Sequence, residues 1–404
     1  MNYCSNIKFI VRGDSYDYFF NTKTSNGKIK CNKTKLSEPQ LQLDNKRLSP
    51  HVFSENGHII PRCMKKGVAL MEDKSDLRLT AAEMSSLWTQ YINDSLAVCV
   101  NTYFLEKTED AEVRPIIEWT LDTAKGNISI MEGIFTKERF PIPIGFTEQD
   151  VNPQAPKLFS DTFVLMYLRH MASLAMAMNT AALGLITRPD VVSFHKRVLQ
   201  AGVDLQDKTR DLMLKQGTYV KPPSISTPDK VEFVEKQQFL AGFFGKRRTL
   251  TSVEISHLFL NIKTNTVGKA LMEGFAQVAK DDEVKQFLLK GKKIAQDHIQ
   301  LFGNFLIKED LPVPMSWDAS VSDSTTTIFS DKLIMYHTAA MIAAGIGNYG
   351  VSLAASPRRD LGYQYASLIP EITLYAEDAA QIMINHGWME EPPQADDREA
   401  LAKQ

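Results

Sequence analysis

The chain has 404 residues, 44% of them hydrophobic and 23% charged, with a formal net charge of -2. A chain of that length has room for two or three domains with sizeable cores, and its near-even charge leaves no basic footprint for a nucleic-acid partner. The Cys 4 content, without Cys-x-x-Cys spacing, gives no disulfide framework and fits a reducing compartment, so a cytoplasmic protein is expected.

Residues 1–70 carry 12 Lys and Arg against 5 Asp and Glu, hold Cys4, Cys31 and Cys63, and show neither helical nor strand periodicity. They read as an unstructured basic leader. No basic stretch followed by an apolar run and a small-residue cleavage site opens the chain, so no secretory signal is expected. Lys65-Lys66-Gly67-Val68 can be encoded by a purine-rich run resembling a ribosome-binding site just ahead of Met71, which predicts a translation start at Met71, the alternative being a translated, disordered basic tail.

Beyond the leader one module is written twice. Leu79-Thr80 with Glu83 recurs as Leu250-Thr251 with Glu254, and Phe140-Pro141-Ile142-Pro143 recurs as Leu311-Pro312-Val313-Pro314, both at an offset of 171. Phe159-Ser160-Asp161, Asp190, Gly217 and Pro222-Pro223 recur as Phe329-Ser330-Asp331, Asp360, Gly387 and Pro392-Pro393, at an offset of 170. A constant offset across unrelated residue types means duplication. The expected divisions are a leader over 1–70, a first repeat over 71–224, a linker over 225–248, a second repeat over 249–393 and a tail over 394–404.

Each repeat predicts four helices, in the first copy over 80–106, 111–137, 160–186 and 190–216. Leu87, Tyr91 and Val98, or Ile116, Trp119 and Thr123, follow the amphipathic period. Thr80-x-x-Glu83 and Thr251-x-x-Glu254 are capping boxes, Ser160-Asp161 and Ser330-Asp331 open the third helix, and Gly217 and Gly387 close the fourth. The connection from helix two to helix three covers about 138–159 and 309–329, too long for a turn between antiparallel neighbours. About 20 extended residues reach roughly 65–70 Å, against about 39 Å for a helix of about 26 residues. The expected fold is therefore all-α: two tandem four-helix bundles, each with a long crossover between helices 2 and 3.

The paired repeats, the Phe/Leu-Pro-Ile/Val-Pro segment and the Phe-Ser-Asp opening of helix three resemble an uncharacterised ferritin-like family of endospore-forming bacteria, whose relatives carry spore-coat labels. The likeness covers about 71–393 and its motifs are structural. It implies a ferritin-like fold, spore association, and assembly with itself or with other spore-coat proteins. It brings no catalytic residues with it.

Ferritin-type metal centres need one Glu from each of two helices and a Glu-x-x-His pair from each of the others. This chain lacks that set. Glu254-x-x-His257 has the spacing, but Glu254 already reads as a cap, and Ser86 stands where His257 does in the other copy. His298 and His337 fall on helices two and three of the second repeat, yet parallel helices would hold them roughly 15 Å apart. Their counterparts are Asn127 and Tyr167. Asp207 and the matching Glu377 share a position on helix four and read as surface charge. His298, His337, Glu254, His257 and Glu377 are thus the candidate ligands should the protein take iron or manganese; no catalytic or cofactor-binding residue is assigned. His170, His195 and His386 show no partner pattern, and nucleophile signatures and phosphate-cradling glycine loops are absent.

Helix three admits a membrane reading, because 333–355 carries no charge and 163–187 carries only Arg169. Ala339, Ala343 and Gly347, like Ser173, Ala177 and Ala181, stack at four-residue spacing, as in tightly packed membrane helices. Burial inside a water-soluble bundle is preferred, since Asn179, His337 and Asn348 would face lipid at a cost. The bundle interiors are accordingly expected to be sealed by apolar and small side chains. The functional expectation is a non-enzymatic structural or interaction protein. A diverged metal-binding ferritin-like enzyme or metal-handling protein comes second, and a membrane-associated helical protein third.

Overall fold

The computed structural model describes residues 78–243 and 247–403, together with the backbone of three strands that precede them. The chain divides into two units, Met1–Asp76 and Leu77–Gln404. In the first, β1 (Lys8–Gly13), β2 (Tyr16–Asn21) and β3 (Lys30–Lys35) make an antiparallel sheet in the order β1-β2-β3. Phe9 pairs with Phe20, which pairs in turn with Cys31. The leader therefore holds regular structure, where none was expected. Phe9-Ile10-Val11 and Tyr16, Tyr18, Phe19 and Phe20 are the β-branched and aromatic residues that favour a pleated backbone. Met71 and the segment 65–68 lie outside the described residues, as does most of the leader.

The second unit is all-α. Its first repeat comprises α1 (Ala81–Lys107), α2 (Arg114–Glu138), α3 (Asp161–Leu183) and α4 (Pro189–Lys215). The second comprises α5 (Ser252–Val278), α6 (Asp282–Ile307), α7 (Asp331–Ala355) and α8 (Arg359–Asn385), and a short α9 (Arg398–Ala402) follows. Both capping boxes form, with Thr80 and Thr251 accepting from the amides of Glu83 and Glu254. Ser160 and Ser330 cap α3 and α7. Gly217 and Gly387 take left-handed backbone at φ 69° and 66°, ending α4 and α8 as their sequence position requires.

Two carboxylates establish how the helices run. Glu83, at the start of α1, accepts from the amides of Thr187 (2.9 Å) and Arg188 (2.8 Å) in the α3–α4 turn. Asp161, at the start of α3, accepts from the amides of Glu109 (3.2 Å) and Asp110 (3.0 Å) in the α1–α2 turn. The start of α1 is thus level with the end of α3, and the start of α2 with the start of α3. Helices α2 and α3 run parallel, and the loop between them crosses the bundle. Glu254 with Arg358, and Asp331 with Lys280 and Asp281, repeat the arrangement in the second copy.

The crossover loops join the repeats around a pseudo-two-fold axis. Asn152 N donates to Ile328 O (2.7 Å) and Ser322 N to Leu158 O (2.8 Å); Ser160 N donates to Ser320 O (2.9 Å) and Ser330 N to Asp150 O (2.9 Å). Each bond has its mate 170 positions away, the reciprocity of an isologous dimer interface. On the axis, Tyr167 meets its own counterpart, His337, with Oη 2.8 Å from Nε2. A central core of side chains from both repeats surrounds this point, including Phe104, Phe159, Phe163, Phe275, Phe329 and Leu333. Smaller clusters around Phe135 and Phe194, and around Phe302 and Tyr365, fill the outer ends of the bundles. The repeats were expected to bury separate cores, but the main core belongs to both.

Candidate functional site

Inside each bundle the polar side chains line up along a path. In the first, His195 is 2.7 Å from Asn179 Oδ1 through Nδ1 and 3.0 Å from Ser86 Oγ through Nε2. Asn179 donates to Gln90 (3.2 Å), and Gln90 donates to Asp94 (3.0 Å). Asn127 approaches the other oxygen of Asp94 at 3.5 Å. In the second bundle the same positions carry different residues. Asn261 donates to Ser352 (2.8 Å), which lies 3.2 Å from His257 Nδ1, and Asn265 donates to Tyr349 Oη (2.9 Å). Tyr349 Oη lies 2.8 Å from His298 Nδ1, and His298 Nε2 lies 3.2 Å from Glu371. Buried polar groups need partners, and these supply one another's.

Burial governs the ionisation of these groups. It pushes His195 and His337 down to about 4 and lowers His298 despite the nearby Glu371 carboxylate. Asp94 is pushed up to about 7 by burial, against the pull of the Gln90 and Asn127 amides. His195, His298 and His337 are therefore neutral imidazoles at neutral pH.

The sequence-derived metal candidates do not come together. Glu254 is fully buried under Arg248, whose guanidinium meets both carboxylate oxygens at 2.7 and 2.8 Å, while its Oε2 also accepts from Thr251 N at 2.9 Å. His257 faces Ser352, His298 faces Tyr349 and Glu371, and His337 faces Tyr167 across the axis. Glu377 is exposed on α8, and its counterpart Asp207 pairs at the surface with Arg210. Among the described residues, one group of three ligand-type side chains does converge: Asp281, Glu283 and His386. Asp281 is the N-cap of α6, where the positive helix end disfavours a cation. Gln216 makes the same tether to Asp110 in the first repeat, at 2.9 Å, so His386 there reads as a helix tie.

The second bundle holds a partly open cavity of about 70 Å³. All four of its helices contribute, through residues such as Thr264 and Asn265, Ala295 and His298, Gly345 and Tyr349, and Ile372 and Tyr375. His170 enters from α3 of the first repeat. The expectation of two sealed interiors is corrected here. Gly268 and Gly345 stand where the first repeat has Ala97 and Ala175, and the missing side chains leave space; Gly291, where the first repeat has Thr120, is instead closed on by Tyr375. Glycines inside helices are the sequence signal that marks this space.

The sequence matches the family described as "Protein of unknown function (DUF3231)" over residues 69–231 and again over 238–401. The chain belongs to this family. Its two matched segments are the two helical repeats, so the chain carries the family's unit twice. A solved structure of a "putative spore coat protein" from Bacillus halodurans C-125 is similar at 17% identity, covering 38% of this chain and 100% of that one, with a TM-score of 0.35. No curated protein matches the chain.

Proposed function

We propose that the protein is a non-enzymatic structural or interaction protein, a ferritin-like pseudo-dimer made from one chain. The observation that supports this reading is the commitment of His195, His298 and His337 to neighbouring side chains. A redox metal centre needs imidazoles and carboxylates with lone pairs free to meet at one point. Glu83 and Glu254, the acidic residues nearest in pattern to such ligands, serve instead as clamps between helix ends. Spore association, assembly with itself or with coat proteins, and a cytoplasmic origin rest on the family resemblance and composition. Iron and manganese analysis of full-length protein purified without chelator tests the reading. Substoichiometric metal is expected; one or two metal ions per repeat would replace it with the metal-handling alternative.

A membrane-associated reading has one observation in its favour. Helix α7 is long and apolar enough by length and composition to cross a membrane, and 22% of its apolar stretch is buried. Expression followed by fractionation without detergent separates the two, with the protein expected in the supernatant.

A further inference from the structure

The cavity of the second bundle is built from parts that packing alone does not explain. His170 is 4% exposed, lines the cavity, and makes no hydrogen bond to another side chain or backbone group among the described residues. A buried imidazole without a partner costs free energy, and its counterpart in the second repeat is Ala340, which the same helix position accepts. Gly268 and Gly345 lie inside helices, where glycine is less favourable than alanine. An added Cβ at either would meet nothing within 4 Å, so no close backbone approach demands glycine there. Gly291 differs, because Tyr375 closes on it.

The chemistry of the lining restricts the occupant. No Asp, Glu, Lys or Arg lines the cavity. Most of its wall is apolar, from Met272, Ile294, Met341, Ile342 and Ile372. Burial, helped by Lys263 and His337, pushes His170 down to about 3, so it presents one donor and one acceptor without charge. At roughly 10–15 Å³ per water, about 70 Å³ holds on the order of five waters, or one compact organic molecule. An ion entering this space would lose its hydration with no oppositely charged side chain in the lining to replace it.

We propose that this cavity is a binding site for a small, uncharged, largely apolar molecule with one hydrogen-bonding group, held by the His170 imidazole of the first repeat inside the bundle of the second. The site joins both repeats, which gives the duplication a consequence that a single copy lacks. Phenol is a suitable probe, being neutral at pH 7 and of the required size. Benzoate is its charged comparison. Ligand-observed NMR and calorimetry on the full chain should show saturable phenol binding and no benzoate binding. His170→Ala, which installs the residue found at position 340, should weaken phenol by about ten-fold, the worth of one lost hydrogen bond. Gly345→Leu should fill the space and abolish binding while circular dichroism stays unchanged. Absence of phenol binding to the unmodified chain overturns the proposal, as does equal affinity for benzoate. Unchanged phenol affinity in either variant overturns it too; if Gly345→Leu does not fold, the His170→Ala comparison decides alone.

Discussion

Asp94 carries a carboxyl into the first bundle with two amide neighbours and no cation, and burial raises it to about 7. The sign of its effect follows from the folded value lying above the ordinary 3.8. Between about pH 4 and 7 the unfolded chain releases this proton and the folded chain keeps it, so stability is lost as pH rises through that window. Asn265 occupies the equivalent position and bonds Tyr349 without charge. Asp94→Asn should therefore raise stability at pH 8 by about 1–3 kcal/mol and flatten the pH dependence, read by urea unfolding at pH 5 and pH 8. No gain at pH 8 would remove the argument. Glu83 shows the opposite sign. Burial raises its pKa, but amide bonds from Thr80, Thr187 and Arg188 outweigh that and hold it at about 2, so its contribution is complete above pH 4.5 and disappears as pH falls toward 2. Glu83→Gln should cost about 2–3 kcal/mol at pH 7, measured the same way.

At the scale of elements, the ends of the helices follow local chemistry and the faces do not. Gly217 ends α4 in a left-handed conformation that a Cβ disfavours. Gly217→Ala should cost about 1 kcal/mol, visible as a lowered midpoint in thermal denaturation. Ser173, Ala177 and Ala181, with Ala343 and Gly347, were expected to pack in the interior, but they lie exposed. The N-terminal half of α3 and α7 is held between the repeats by Phe163, Tyr167, Leu333 and His337, while the C-terminal half keeps one side open. Small side chains suit both a tight contact and a bare helix surface, so spacing alone could not choose. Ala343→Lys should change stability by less than about 0.5 kcal/mol, and a larger loss in the melting curve would show that this face is covered.

Across the whole molecule the shared core makes two repeats one folding unit. Phe159 of the first repeat packs on Phe275 of the second, and Tyr103 packs on Phe329 across the axis. Neither bundle can open its inner end without exposing these rings. Calorimetry of the full chain should give a single cooperative transition for the helical body; two separated transitions would contradict a common core. His170, His195, His298 and His337 are all held below the ordinary imidazole value by burial. Folding therefore favours their neutral forms, and stability present above pH 6.5 is lost as pH falls toward 4, partly offset by Asp94.

The helices, their caps, the duplication and the crossover were legible because each depends on short-range chemistry or on a repeated offset. Thr80 with Glu83, Ser160 and Gly217 act within a few residues of themselves, and the loop from α2 to α3 must span a distance that its length already states. The strand residues near the N-terminus were present in the sequence too, but their alternation is short and surrounded by charge. What only the tertiary structure decided is where side chains from different helices meet. Glu83 is a cap by its spacing, and becomes a clamp because α4 begins beside it. His170 had no partner pattern because the space it enters belongs to the other repeat. Local geometry can be read along one chain segment, whereas a cavity arises from atoms that four helices and a neighbouring repeat leave out.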